Sequence, residues 1–142
     1  MDQPSPAAAA RLIQVVLLSG VVAFAIVIGV ITNGADPIGD PSLQGPIAWV
    51  GGALAVVCSG VAFFLRKVMP ARIARVTVLS ARERAMRAAL LPAATLEAAM
   101  LFNLVGWLVR NDPWPTAAFA LLPFCVAVAF LIQPIELEEP RQ

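Results

Sequence analysis

The chain has 142 residues, 60% apolar and only 13% charged, with a formal net charge of +1 and a mean hydropathy of +0.84. A soluble domain carries about 25% charged residues, so the composition points to an integral membrane protein. With no His and only two Cys, it excludes a His-based triad, a His-ligated metal and a four-cysteine zinc site, while the small net charge argues against a nucleic-acid binder that neutralises phosphates.

A helix crossing a hydrocarbon core of about 30 Å needs about 20 apolar residues. The first such stretch is 12–31, interrupted only by Gln14 and Ser19. It is longer than the roughly 7–15 residues of a signal-peptide core. No small-x-small cleavage pattern follows in Thr32-Asn33-Gly34-Ala35-Asp36-Pro37, so a retained anchor is expected. The second span is 46–65, the third 88–109 and the fourth 114–132. None alternates in polarity, as membrane strands do. The expected fold is therefore all-α: a polytopic membrane protein of four transmembrane helices in two tandem hairpins, forming one membrane domain over 1–142.

Segment 66–87 holds Arg66, Lys67, Arg72, Arg75, Arg82, Arg84 and Arg87, seven of the ten basic residues. Loop 33–45 has none. The positive-inside rule places the middle segment in the cytoplasm. Both termini then follow it there, since two crossings separate each from that segment. Trp49, Trp107 and Trp114 fall near the opposite ends of their helices, where amphipathic rings favour the interface. Within the basic segment, Ser80-Ala81-Arg82-Glu83 fits a capping box. The third helix is expected to start near 80 and run to 109, with its first two turns outside the hydrocarbon. The basic residues set topology and attract anionic lipid at about 1 kcal/mol each; docking of an acidic partner is the other reading. The acidic end Glu136-Leu137-Glu138-Glu139 reads as a solvated tail, and Asp36, Asp40 and Asp112 as turn residues.

Glu97 is the one acidic or basic side chain well inside a span. It lies nine residues past Ala88, roughly 14 Å along the helix and close to the bilayer midplane. A charge there costs on the order of 2.5–3.5 kcal/mol on insertion scales, so a neutral carboxyl is expected, able to donate one hydrogen bond and accept others. Ser19, Ser59 and Asn103 are its expected partners at similar depth. Two roles stand open for Glu97: a tentative proton or cation site, and a plain interhelical hydrogen-bond donor. Cys58 and Cys125 read as small apolar fillers. No catalytic residue, metal site or cofactor is expected.

The spans also match in pairs. At an offset of 67, Pro46, Ala53, Leu54, Cys58, Val61, Ala62 and Phe63 fall on Pro113, Ala120, Leu121, Cys125, Val128, Ala129 and Phe130. The first and third spans match less well, at an offset of 78, through Leu18, Phe24, Val27, Asn33 and Pro37. An internal repeat of this kind keeps both copies in one orientation about an axis along the membrane normal, with Cys58 and Cys125 level. Small residues at four-residue spacing (Gly51, Ala55 and Ser59; Ala89 and Ala93 with Glu97) mark the expected helix contacts. Pro92 and Pro123 lie inside the third and fourth spans, where kinks are expected.

The stretch Ala88-Ala89-Leu90-Leu91-Pro92-Ala93-Ala94-Thr95-Leu96-Glu97-Ala98-Ala99-Met100-Leu101-Phe102 remotely resembles the proteolipid c subunits of rotary ATPases. That likeness implies a ring-forming rotor protein with Glu97 as the ion-carrying carboxylate. The chain departs from the pattern by placing Glu97 on the first helix of its hairpin and by a polar middle segment of more than 20 residues. It is similar as well to small uncharacterised four-helix bacterial membrane proteins, a likeness that implies no activity. The expectation is a non-enzymatic protein of the bacterial inner membrane, acting as a structural or accessory subunit. Its expected partners are the lipid bilayer and a larger membrane complex or further copies of itself, with no nucleic acid. The alternative is a proton- or cation-handling, proteolipid-like component using Glu97.

Overall fold

Capping chemistry sets where the helices begin. In the computed structural model, which describes residues 5–34, 36, 38–74 and 79–133, the hydroxyl of Ser5 accepts the Ala8 N–H at 3.3 Å and a proline opens the first turn. A missing N–H costs nothing there. Helix α1 therefore spans Pro6–Thr32, starting earlier than its apolar run. Helix α2 spans Pro41–Ala74. The Asp40 carboxylate accepts the Ser42 N–H at 2.8 Å, and its carbonyl accepts that of Leu43. Helix α3 spans Ala81–Arg110, and the reciprocal capping box of Ser80 and Glu83 is present. It stops at Asn111, which is left-handed at φ 52°, a conformation asparagine tolerates better than most residues. Helix α4 spans Thr116–Ile132.

All regular structure among the described residues is thus α-helical, in four helices. Helices α1, α2 and α3 are long and apolar enough to cross a membrane, whereas α4, at 17 residues, is shorter. The end of α2 differs from the apolar boundary at Leu65. The helix continues through Pro70 to Ala74, so Arg66, Lys67 and Arg72 are helical rather than part of a loop. Arg, Lys, Met and Ala are good helix formers, so the basic composition that ends the apolar run does not end the helix. Arg75 lies outside the described residues, as do the acidic residues Glu136, Glu138 and Glu139.

Helix α3 is the centre of the bundle and touches the other three. Its buried positions Ala85, Ala89, Leu96, Met100, Asn103 and Leu104 recur at helical spacing. The main core joins Leu96, Met100 and Leu104 to Val21 and Ile28 of α1, Ala62 of α2 and Ala127 and Phe130 of α4. Ala10 of α1 packs on Ala85 and Ala89, and Gly29 meets the Trp107 ring at 3.5 Å, so α1 and α3 run in the same direction. Gly106 of α3 faces both Ile47 and Thr116, so α2 and α4 run the opposite way. Among the described residues the backbones of α1 and α2 nowhere approach within 8 Å between Cα atoms. The first pair of helices is therefore not a packed hairpin, because α3 takes the place against α1 that α2 would need.

Helices α2 and α4 meet side by side in one register. Gly52 lies against the Phe119 ring, Phe63 stacks edge-on to Phe130 with centroids 5.2 Å apart, and Arg66 donates to the Gln133 carbonyl. Each contact joins residues 67 positions apart, the offset of the sequence match, so Cys58 and Cys125 are brought level. The pairing does not extend to a twofold bundle: α3 touches α4, but the backbones of α1 and α2 stay apart.

Residue size is distributed unusually. The most deeply buried positions include Ala55, Ala62, Ala88, Ala89 and Ala99, all at 1% exposure or less, while Leu12, Val16, Ile26, Val56, Phe64 and Leu121 are each more than half exposed. Alanines thus make up much of the buried set beside the Ile28, Leu96, Met100, Leu104 and Phe130 core, while many large apolar side chains face out. Charge is divided as well. Exposed Arg11, Lys67, Arg72, Arg82 and Arg87 belong to the end where α1 and α3 begin. Asp36, Asp40, Asp112 and Arg110 belong to the other end, as do Trp49, Trp107 and Trp114.

Candidate functional site

Glu97 follows Leu96, a core residue of α3 with no exposed surface. One residue along a helix turns the side chain by about 100°. This carries Glu97 off the buried stripe and toward α1, where it is half-buried. It lines a recess where α1, α3 and α4 converge, together with Gln14, Leu18, Leu96, Met100 and Phe130. The recess is open to the outside, and its volume of about 10 Å³ is close to the room one water molecule needs.

Gln14 is the polar neighbour of Glu97 in this recess, and it is only 7% exposed. Among the described residues neither side chain makes a hydrogen bond within the chain. Sequence reading passed over Gln14 as an interruption of an apolar run. A usable signal exists: Ala10, Gln14, Val21 and Ile28, the buried inward positions of α1, stand four and then seven residues apart. That spacing marks one helix face, so Gln14 belongs to the core stripe.

The three residues expected beside Glu97 are engaged elsewhere or stand apart. The Ser19 hydroxyl donates to the Val15 carbonyl at 2.8 Å and is exposed. Ser59 is buried, and its Oγ has no hydrogen-bond partner. Asn103 has no exposed surface, and its Nδ2 donates to the carbonyls of Gly51, at 3.1 Å, and Ala99, at 2.9 Å. Asn103 therefore joins α3 to α2 rather than to Glu97. A Cβ at position 51 would meet Asn103 Oδ1 at less than contact distance, so any larger residue there requires the Asn103 side chain to move. Cys58 is half-buried and Cys125 exposed, both as free thiols.

A second polar constellation lies at the basic end. The Arg66 guanidinium lies over the Phe130 ring, 4.3 Å from its centroid, and donates to the Phe130 carbonyl at 3.0 Å and to that of Gln133. These carbonyls end α4, where backbone acceptors lack helical partners and the helix dipole favours a cation. Arg66 thereby fastens the C-terminus of α4 to α2. At the other end, Arg110 and Asp112 form the one ion pair among the described residues, at 3.8 Å.

The described residues bring together no group of three His, Cys, Asp or Glu side chains able to hold a metal. The Glu97–Gln14 recess offers hydrogen bonding and, through the carboxyl, a place for one positive charge. Comparison of the chain with protein families, curated proteins and solved structures finds no match.

Proposed function

We propose that the chain is a non-enzymatic integral membrane protein of the bacterial inner membrane that crosses the bilayer four times and serves as an accessory or structural subunit of a larger membrane assembly. The observation that carries this reading is the distribution of residue size. Lipid offers helices no hydrophobic reason to associate, so membrane bundles use small residues between helices and turn large apolar ones to the acyl chains. Buried alanines beneath exposed Leu, Ile, Val and Phe follow that rule. The bundle also buries Ile28, Leu96, Met100, Leu104 and Phe130, but the large apolar residues left exposed are far more than the scattered few of an aqueous domain.

The division of charge supports the orientation: the basic end and both termini lie in the cytoplasm. Helix α4 crosses as the shortest member, about 25 Å long at 1.5 Å per residue, with the Arg66 contacts satisfying its last carbonyls at the cytoplasmic interface. Solubilisation of native membranes in a mild detergent tests the accessory role. The 15.0 kDa chain is expected in a particle containing other polypeptides. Migration only as an isolated chain in its micelle would contradict the role.

A second reading rests on one specific observation, the shared recess of Glu97 and Gln14. A carboxyl inside a membrane span is by default a functional group, and here it makes no hydrogen bond among the described residues. On this reading the protein handles protons or cations, with Glu97 as the carrier. Carbodiimide modification of Glu97 in its protonated form, slowed by added cations that displace that proton, is the expected outcome. An unreactive Glu97, together with full function of Glu97→Gln, would end this reading.

A further inference from the structure

The recess between α1, α3 and α4 opens outward, and its walls are apolar apart from Gln14 and Glu97. Its lining runs from Gln14 to Leu18 on α1, from Ala93 to Met100 on α3 and from Phe130 back to Ala127 on α4. All three helices thus carry it inward from the basic end, over about 10 Å along α3 at 1.5 Å per residue. Two cations stand at its basic mouth. Arg11, Gln14 and Leu18 are three and four residues apart and share one face of α1, so the exposed Arg11 lies about one turn nearer the basic end. Arg66 reaches across from α2, lying over the Phe130 ring and donating to the carbonyls of Phe130 and Gln133. Neither cation pairs with a carboxylate among the described residues.

We infer that this slot binds one anionic phospholipid of the cytoplasmic leaflet, with its phosphate at Arg11 and Arg66 and an acyl chain along the apolar walls. The inference rests on the membrane-spanning reading and adds a ligand to it. Basic pockets between membrane helices on the cytoplasmic side suit such headgroups. Arg66 keeps donors to spare: a guanidinium carries five N–H groups, and the two carbonyls take one each. The depth matches as well. On the membrane-spanning reading the last turn of α4 ends at the cytoplasmic interface, so Arg66 stands at the level of the lipid phosphates. A phosphate placed there offsets two cations for which the described residues supply no carboxylate. A zwitterionic lipid fits the same walls, so net headgroup charge is what selects the occupant. Glu97 lies deeper than the phosphate, where desolvation favours a neutral carboxyl that does not repel it.

Native mass spectrometry of the full-length protein, delipidated in detergent, tests the site by titration with phosphatidylglycerol or with phosphatidylcholine of the same acyl chains. Phosphatidylglycerol is expected to bind about thirtyfold more tightly, the factor for two cations at about 1 kcal/mol each. Arg11→Gln should reduce that preference about fivefold, the share of one cation. Arg87→Gln should leave it unchanged. Arg87 stands nine residues from Leu96, which lines the recess, and so on the opposite side of α3. Phosphatidylglycerol with a photoreactive group in the half of one chain nearer the headgroup should cross-link to Leu17, Leu18 or Met100. Equal binding of the two lipids overturns the inference. So does an equal loss of preference in Arg11→Gln and Arg87→Gln, which would mean diffuse attraction to the whole basic end. Cross-linking confined to the exposed Val56 and Phe64 of α2 overturns it too. A protein that stays monodisperse in water without detergent sinks the membrane-spanning reading itself, whereas equal lipid binding by a detergent-solubilised chain sinks this site alone.

Discussion

Asn103 shows how one polar side chain fixes a helix pair. Its amide bonds the Gly51 carbonyl across the α2–α3 interface, and the missing Cβ at Gly51 makes room for it. Replacing Asn103 by leucine removes that bond and is expected to destabilise the bundle by about 1 kcal/mol, a common size for an interhelical bond in a membrane. Gly51→Ala should destabilise it further by forcing the helices apart, and Gly51→Ala with Asn103→Ala should fall short of the sum, because the smaller side chain vacates the contested space. Unfolding in mixed detergent micelles, followed by circular dichroism, measures all three. Asp40 works at the surface. Hydrogen bonds from the Ser42 N–H and then its side chain hold the Asp40 carboxyl below its ordinary value. A carboxyl whose value is depressed by folding contributes stability that is present above the ordinary aspartate value of about 3.9 and lost as pH falls through the lower folded one. Amide exchange at Ser42 should therefore accelerate only in strongly acidic solution, and Asp40→Asn should remove that acid-dependent change.

At the scale of the elements, α2 and α4 share a register that can be tested by cross-linking. Ser59 and Val126 stand seven residues beyond the Gly52–Phe119 contact and four before that of Phe63 with Phe130. Seven- and four-residue steps return a helix nearly to the same face. In a background with Cys58 and Cys125 replaced by alanine, Ser59→Cys with Val126→Cys should oxidise to an intramolecular disulfide. Ser59→Cys with Val128→Cys, two residues further along α4, should not. Reversed yields would place the helices in another register.

The elements also show what sequence alone could reveal. Helices were legible because apolar runs of membrane length leave few other structures, and the start of α3 was legible because Ser80 and Glu83 have the spacing of a capping box. The length of α2 was not, since charge marks the edge of an apolar run and says nothing about where helical hydrogen bonding stops. The neighbour of Glu97 was equally hidden. Depth along a span can be counted from residues, which is how Ser19, Ser59 and Asn103 came to be expected beside it. Which helix faces which depends on packing between distant segments. Once α1 settles on α3, with α2 on another side, Gln14 becomes the group that shares the recess.

At the scale of the whole molecule, three features stand together: many small residues among the buried ones, many large apolar residues exposed, and different charge character at the two ends. On the proposed reading a bilayer accommodates all three together: acyl chains would cover the flanks, the cations would stay with the cytoplasmic headgroups and the tryptophans with the far interface. Paired cysteine accessibility in intact cells tests this most directly, using Arg72→Cys at the end of α2 and Asp112→Cys beyond the end of α3, each introduced into a Cys58→Ala, Cys125→Ala chain. The account predicts that a membrane-impermeant maleimide labels Asp112→Cys from outside and reaches Arg72→Cys only after the membrane is opened. Labelling of both from the same side of an intact membrane would contradict it.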